Sequence, residues 1–152
     1  MGLRIFLLPA CALLISVLAG SSSAGNRNQQ CVKPDLTQRA ACNQIKLMYF
    51  YNETSGRCEH FRWASCQNTG VFSTLHQCVF ACKTGQGAPS CVSAPPNPCA
   101  ETKIDGGRDR YYYNITTRNC EKYSFCGDRP SMFSNNYFIA EGYCRKQCGG
   151  FN

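Results

Sequence analysis

The 152-residue chain predicts a small disulfide-rich α+β fold, built twice, with a β-hairpin, a short helix and three disulfides in each copy. Three observations carry this expectation. Twelve cysteines fall into two sets of six: Cys31, Cys42, Cys58, Cys66, Cys78 and Cys82, then Cys91, Cys99, Cys120, Cys126, Cys144 and Cys148. The segment Tyr49-Phe50-Tyr51-Asn52-Glu53-Thr54-Ser55-Gly56-Arg57-Cys58 recurs in register as Tyr111-Tyr112-Tyr113-Asn114-Ile115-Thr116-Thr117-Arg118-Asn119-Cys120, which marks a repeated unit. Between the two sets, Lys83 to Ser90 is made of glycine, proline and small polar residues and reads as a linker, with the boundary near residue 87.

Residues 1–24 read as a secretory leader. Arg4 precedes the apolar stretch Ile5 to Ala19, and Gly20-Ser21-Ser22-Ser23-Ala24 supplies the small residues of a cleavage site, after Ala24 or Ala19. The apolar run, about fifteen residues, falls short of the roughly twenty that cross a bilayer. Cleavage removes Cys11 and leaves an even number of cysteines, so the remaining 128 residues or so are expected to be secreted and extracellular. Each half is near sixty residues, a length that buries only about 60% of its unfolded surface, and three bridges at about 2–4 kcal/mol each would offset that small core.

Residues 25–87 form the first unit. Leu47, Tyr49 and Tyr51 alternate with Met48 and Phe50, the pattern of a half-buried strand, and Asn52 to Gly56 turns it. The partner strand is Arg57 to Trp63, with Cys58, His60 and Arg62 on one face and Glu59, Phe61 and Trp63 on the other. Ser73 to Cys82 reads as a helix capped by Thr74, with Gln77 completing a capping box and Cys78 and Cys82 one turn apart on one face. Residues 88–152 form the second unit, whose helix start, Ala140-Glu141-Gly142-Tyr143, lacks that box. Cysteine counting alone allows fifteen pairings in each set and leaves the connectivity open.

The first unit resembles the Kunitz domain of the bovine pancreatic trypsin inhibitor type. Its cysteine intervals of 10, 15, 7, 11 and 3 residues, its Tyr-Phe-Tyr-Asn strand and its terminal Cys-x-x-x-Cys helix carry the resemblance. The second unit keeps the order and the strand motif with intervals of 7, 20, 5, 17 and 3, so it is similar but divergent. The resemblance implies the pairings Cys31–Cys82, Cys42–Cys66 and Cys58–Cys78, then Cys91–Cys148, Cys99–Cys126 and Cys120–Cys144. Two such units behind a leader look most like tick salivary two-Kunitz anticoagulants of the Ixolaris and ornithodorin types, and more distantly like tissue factor pathway inhibitor. That implies a secreted, monomeric binder of a coagulation serine protease such as thrombin, factor Xa or factor VIIa–tissue factor.

In the family, the loop after the second cysteine enters the protease as a substrate would. Here that loop contains Ala41, Cys42, Asn43, Gln44 and Ile45, with Asn43 offered to the specificity pocket. Asn43 does not suit a trypsin-like enzyme, because its amide leaves the pocket's buried Asp without a cation. Ala40 and Ala64-Ser65 stand where the family has glycines, which permit positive φ and close backbone approach. These departures imply a non-standard or exosite mode. In the second unit, Glu101 to Arg110 with its Gly106-Gly107 pair reads as a mobile loop presenting Arg108 or Arg110, or equally as a solvated insertion.

The net charge of +7 becomes +6 once Arg4 leaves with the leader, and the first unit holds most of the excess. That favours anionic contacts, such as a polysaccharide or an acidic exosite, and the compartment argues against nucleic acid. Asn52-Glu53-Thr54 and Asn114-Ile115-Thr116 are N-glycosylation sequons at the same turn of each unit. No enzyme, metal or cofactor is expected: His60 and His76 lack ligand spacing and no nucleophile motif accompanies them. The competing reading is a toxin that blocks an ion channel or platelet receptor on the same scaffold, with Lys33 as its basic residue.

Overall fold

The computed structural model describes residues 30–35, 44–64, 66, 68–100, 107–130, 133 and 135–151. Strands β1 (Lys46–Asn52) and β2 (Arg57–Trp63) form the first antiparallel hairpin, with Tyr49 opposite His60 and Tyr51 opposite Cys58. Helix α1 (Leu75–Cys82) follows, then a 3₁₀ turn at Pro89–Cys91. Strands β3 (Arg108–Asn114) and β4 (Asn119–Phe125) form a second hairpin in the same register, with Tyr111 opposite Lys122 and Tyr113 opposite Cys120, before helix α2 (Glu141–Cys148).

Both hairpins are closed by one further bridge of the same kind. Tyr49 exchanges backbone hydrogen bonds with Phe72 at 2.9 and 2.8 Å, and Tyr111 does so with Phe138 at 2.9 and 2.8 Å. The bridge draws the chain just before each helix onto the first strand. α1 starts at Leu75, two residues inside the expected Ser73, and has the expected cap: Thr74 is extended, and its hydroxyl accepts the Gln77 N–H at 3.1 Å. Ala140 offers α2 no side-chain cap, and Glu141 in the first turn with Arg145 and Lys146 in the last complement the helix dipole instead.

The structure pairs Cys31–Cys82, Cys58–Cys78, Cys91–Cys148, Cys99–Cys126 and Cys120–Cys144, the same partners that the resemblance implies. Cys66 is also disulfide-bonded, and Cys42 lies outside the described residues. Four of these bridges contribute to two small cores, and Cys99–Cys126 belongs to neither. One joins Tyr49, Cys58, Phe72, Leu75 and Cys78, and the other joins Cys91, Tyr113, Phe138, Cys144 and Cys148.

Strand burial departs from simple alternation. Met48, Tyr49 and Phe50 are all buried, because Tyr49 faces the disulfide core while Phe50 packs edge-on against Phe61, which in turn meets Trp63. The second hairpin repeats the edge-on pair with Tyr112 and Tyr123, but there Tyr112 stays half-buried.

The presumptive linker is held. Gln86 uses both ends of its amide on one residue of β2: Oε1 accepts the Cys58 N–H at 2.6 Å and Nε2 donates to the Cys58 carbonyl at 2.9 Å. Ala88 then packs against both cores. The segment read as a linker from its composition is pinned at Gln86 to Cys58 of the first hairpin.

Candidate functional site

Gln44 and Ile45 lead into β1 and are exposed, Ile45 at 61% of its surface. Ala41, Cys42 and Asn43 lie outside the described residues, as does Ala40. The frame around Gln44 and Ile45 is described: Lys46 pairs with Trp63 at the end of the hairpin, and Cys66 follows three residues later. Gly70 is buried at φ +73°, and a Cβ there would stand 2.5 Å from the Val32 carbonyl oxygen, so the segment after Cys31 packs directly on backbone. Lys33 is exposed on that segment.

Arg108 and Arg110 are not presented by a mobile loop. Both stand in β3, and aromatic rings of the second half hold them. Arg108 lies over the Phe125 ring at 5.3 Å and donates to the Gly127 carbonyl at 2.8 Å. Arg110 lies over Tyr137 at 5.8 Å, with Nε donating to the Tyr137 hydroxyl at 2.7 Å. Gly107 is packed rather than hinge-like, since a Cβ there would meet Cys99 Sγ at 2.8 Å and Ser124 Cβ at 3.2 Å. The reason is tertiary: the Cys99–Cys126 disulfide, the Pro98–Phe125 bridge and the Cys99 N–H to Ser124 carbonyl bond at 2.8 Å hold Pro98 and Cys99 against the end of β4, beside Gly107. Residues 101–106 lie outside the described residues.

Asp109 and Lys122 pair across β3 and β4 at 2.6 Å on an exposed face, a contact that adds little stability. Tyr123, behind them, has its phenol pushed up to about 12 by burial and by the neighbouring Tyr137, with Arg110 acting in the opposite direction. This end of the second hairpin is therefore a cation–aromatic stack of fixed geometry.

The polar anchors that organise the region were missed in the sequence. Asn136 is fully buried and clamps Tyr113, accepting its N–H at 2.7 Å and donating to its carbonyl at 2.8 Å and to the Ser93 carbonyl at 2.7 Å. Gln86 treats Cys58 in the corresponding way. Between the halves runs a cleft of about 720 Å³ lined by Tyr49, Arg57, Glu59, His60, Phe133 and Gln147. His60 meets Phe133 in a tilted contact at 4.4 Å, and His76 meets Phe151 edge-on at 5.2 Å, so both histidines pack on aromatic rings. Among the described residues no group of three His, Cys, Asp or Glu could hold a metal, and no helix is long and apolar enough to cross a membrane.

Residues 30–83 match the Kunitz/Bovine pancreatic trypsin inhibitor domain. Papilin of Caenorhabditis elegans is 26% identical over 131 residues, covering 86% of this chain and 6% of papilin. Mouse (Mus musculus) tissue factor pathway inhibitor is 29% identical over 121 residues, covering 70% of this chain and 37% of the inhibitor. The chain thus spans well under two thirds of either relative. An NMR structure concerning the interaction of Ixolaris with Factor X aligns at 27% identity over 81% of this chain and 97% of that one, with a TM-score of 0.26. Residues 30–83 of this disulfide-rich chain are a Kunitz/bovine pancreatic trypsin inhibitor domain.

Proposed function

We propose that the chain is a secreted inhibitor that binds a serine protease of blood coagulation, and that it does so without substrate-like insertion of Asn43. The observation that carries this reading is the Kunitz domain at residues 30–83, a domain whose members inhibit proteases rather than catalyse reactions, in a chain whose relatives include tissue factor pathway inhibitor. Cysteine density supports an oxidising, extracellular setting. The amide of Asn43 argues against a trypsin-like pocket, and exposed Ile45 offers an apolar contact that does not depend on a cation. Residues 25–87 and 88–152 act together in this reading, supported by the hydrogen bonds from the Tyr49 hydroxyl to Gln147 and from Lys146 to the Leu47 carbonyl, which join the two halves.

The test is a panel of thrombin, factor Xa, factor VIIa–tissue factor, trypsin and elastase against the purified chain, with plasma clotting time alongside. Binding to a coagulation protease with prolonged clotting is expected. Absence of binding and inhibition at micromolar protein, with clotting unchanged, overturns the reading. Asn43→Arg then separates the modes: it gains trypsin inhibition only if the loop has a substrate-like path, and leaves the coagulation target unaffected if that target is met elsewhere.

A further inference from the structure

We infer that Asn52 and Asn114 carry N-linked glycans and that these are attached before the two hairpins close. The two asparagines are the last residues of β1 and β3, opposite Arg57 and Asn119. Each makes the same turn: Asn52 Oδ1 accepts the Thr54 N–H at 3.0 Å and Asn114 Oδ1 accepts the Thr116 N–H at 2.9 Å. The following four residues, 53–56 and 115–118, are exposed in both halves.

The turn accounts for asparagine at both tips, but it accounts for threonine at neither. Those turn bonds use only the backbone N–H of Thr54 and Thr116, which any residue except proline supplies. A hydroxyl residue two places after each asparagine is the extra requirement of glycan transfer. Its presence at the same exposed position of two otherwise divergent halves points to modification rather than to turn geometry.

The order of events follows from the amide nitrogens. Asn52 Nδ2 donates to Glu59 Oε1 at 3.1 Å, and Asn114 Nδ2 donates to both carboxylate oxygens of Glu121 at 3.0 Å. Both asparagines are half-buried in the closed hairpins. Transfer from a lipid-linked diphosphate oligosaccharide breaks the sugar C1–oxygen bond, releases the diphosphate, forms C1–Nδ2 and removes one proton from the amide. In the closed hairpin that nitrogen is turned toward a carboxylate, whereas in the open chain it is accessible. Afterwards one N–H remains, enough to keep the contact with Glu59 or Glu121, so a glycan is compatible with the folded turn.

The tips stand at the far ends of seven-residue strands from Gln44–Ile45 and from Arg108, roughly 20 Å away at about 3.3 Å per residue. Sugars there cover exposed Ile115 and leave the opposite ends of both hairpins open to a protein partner.

The experiment is secretion of the full chain from a eukaryotic cell, with intact mass measured before and after peptide-N-glycosidase. Two glycans are expected, each released with conversion of its asparagine to aspartate. Thr54→Ala and Thr116→Ala each lose one glycan while keeping the backbone donor of the turn, and Thr54→Ser retains it. A secreted chain with the mass of the bare polypeptide, or a Thr54→Ala variant with unchanged mass, overturns the assignment. Incubating reduced and oxidised unmodified chain with microsomes tests the order: glycan on the reduced chain alone is expected, and equal modification of the oxidised chain overturns it.

Discussion

Tyr49 of the first hairpin donates its hydroxyl to Gln147 Oε1 on the second helix at 2.8 Å, a buried hydrogen bond between residues 98 positions apart. Tyr111, which occupies the same place in the second hairpin, is only half-buried. The difference is that α2 finishes the inner face of the first hairpin. Lys146 adds a second tie, its Nζ donating to the Leu47 carbonyl at 2.7 Å, and burial followed by the nearby Lys46 lowers its pKa. Phe151 packs on the first core from beyond the helix. The two halves therefore share an interface that local sequence does not announce.

Tyr49→Phe should destabilise the chain by about 1–3 kcal/mol, because it leaves the Gln147 amide oxygen buried without its donor. Combined with Gln147→Ala in a double-mutant cycle, the pair should couple by about 0.5–3 kcal/mol in chemical denaturation. The phenol of Tyr49 is raised by burial above its ordinary value of 10.0. A raised folded value means that its stabilisation is complete below pH 10 and is lost as pH rises through the folded value, so alkaline unfolding should be shallower in Tyr49→Phe. Equal stability of the two chains across pH 7–12 would show that the contact contributes nothing.

Gln86→Ala should cost about 1–3 kcal/mol, since both backbone groups of Cys58 lose a partner. Hydrogen exchange at the Cys58 amide reads the effect directly and should accelerate at least tenfold. Gln86→Glu keeps an acceptor for the Cys58 N–H but sets a carboxylate against the Cys58 carbonyl, so it should be no better than alanine.

The hairpins, helices and their order are legible in the sequence because their signals are local. Alternation marks β1, the Asn52 and Asn114 turns mark the tips, and Thr74 with Gln77 marks the start of α1. Gln86, Asn136 and Gln147 are illegible because their partners lie 28, 23 and 98 residues away, and nothing beside them distinguishes a clamp from a surface amide. Arg108, Arg110 and Gly107 were misread for the same reason. The segment looks mobile until Gly107 is set against the Cys99 sulfur and the rings of Phe125 and Tyr137 are placed against Arg108 and Arg110. Of the candidate contact loop, Gln44 and Ile45 are placed as exposed residues, while Ala41 and Asn43 lie outside the described residues.

Asn136→Ala should be the most damaging single polar change. It strips partners from the Tyr113 N–H and carbonyl and from the Ser93 carbonyl at a residue with no exposed surface, and should cost about 2–5 kcal/mol. Asn136→Asp keeps the acceptor for Tyr113 N–H and loses both donor bonds. Its melting temperature should also fall well below wild type, and any recovery relative to alanine should vanish at neutral pH, where a buried carboxylate is penalised.

Stability should also decline as the solution is acidified from pH 8 to pH 5, through His60. Its side chain stays exposed, but partial desolvation beside Phe133 lowers its pKa from 6.5, with Glu59 opposing the shift, so the effect on stability is small. With the folded value below the unfolded one, the unfolded chain binds the proton more readily. The contribution is then present above pH 6.5 and is lost as pH falls through the folded value. Glu59 acts at lower pH: hydrogen bonds from Ser55 and Asn52 hold its carboxyl below 4.5, so its stabilisation is lost as pH falls through its own folded value. His60→Phe separates the two. It keeps an aromatic ring against Phe133 and cannot take up a proton, so its melting temperature should stay level between pH 8 and pH 5 while the decline below pH 4.5 persists. A wild-type melting curve that is already flat across pH 5–8, or a His60→Phe curve that falls as steeply as wild type, would remove His60 as the cause.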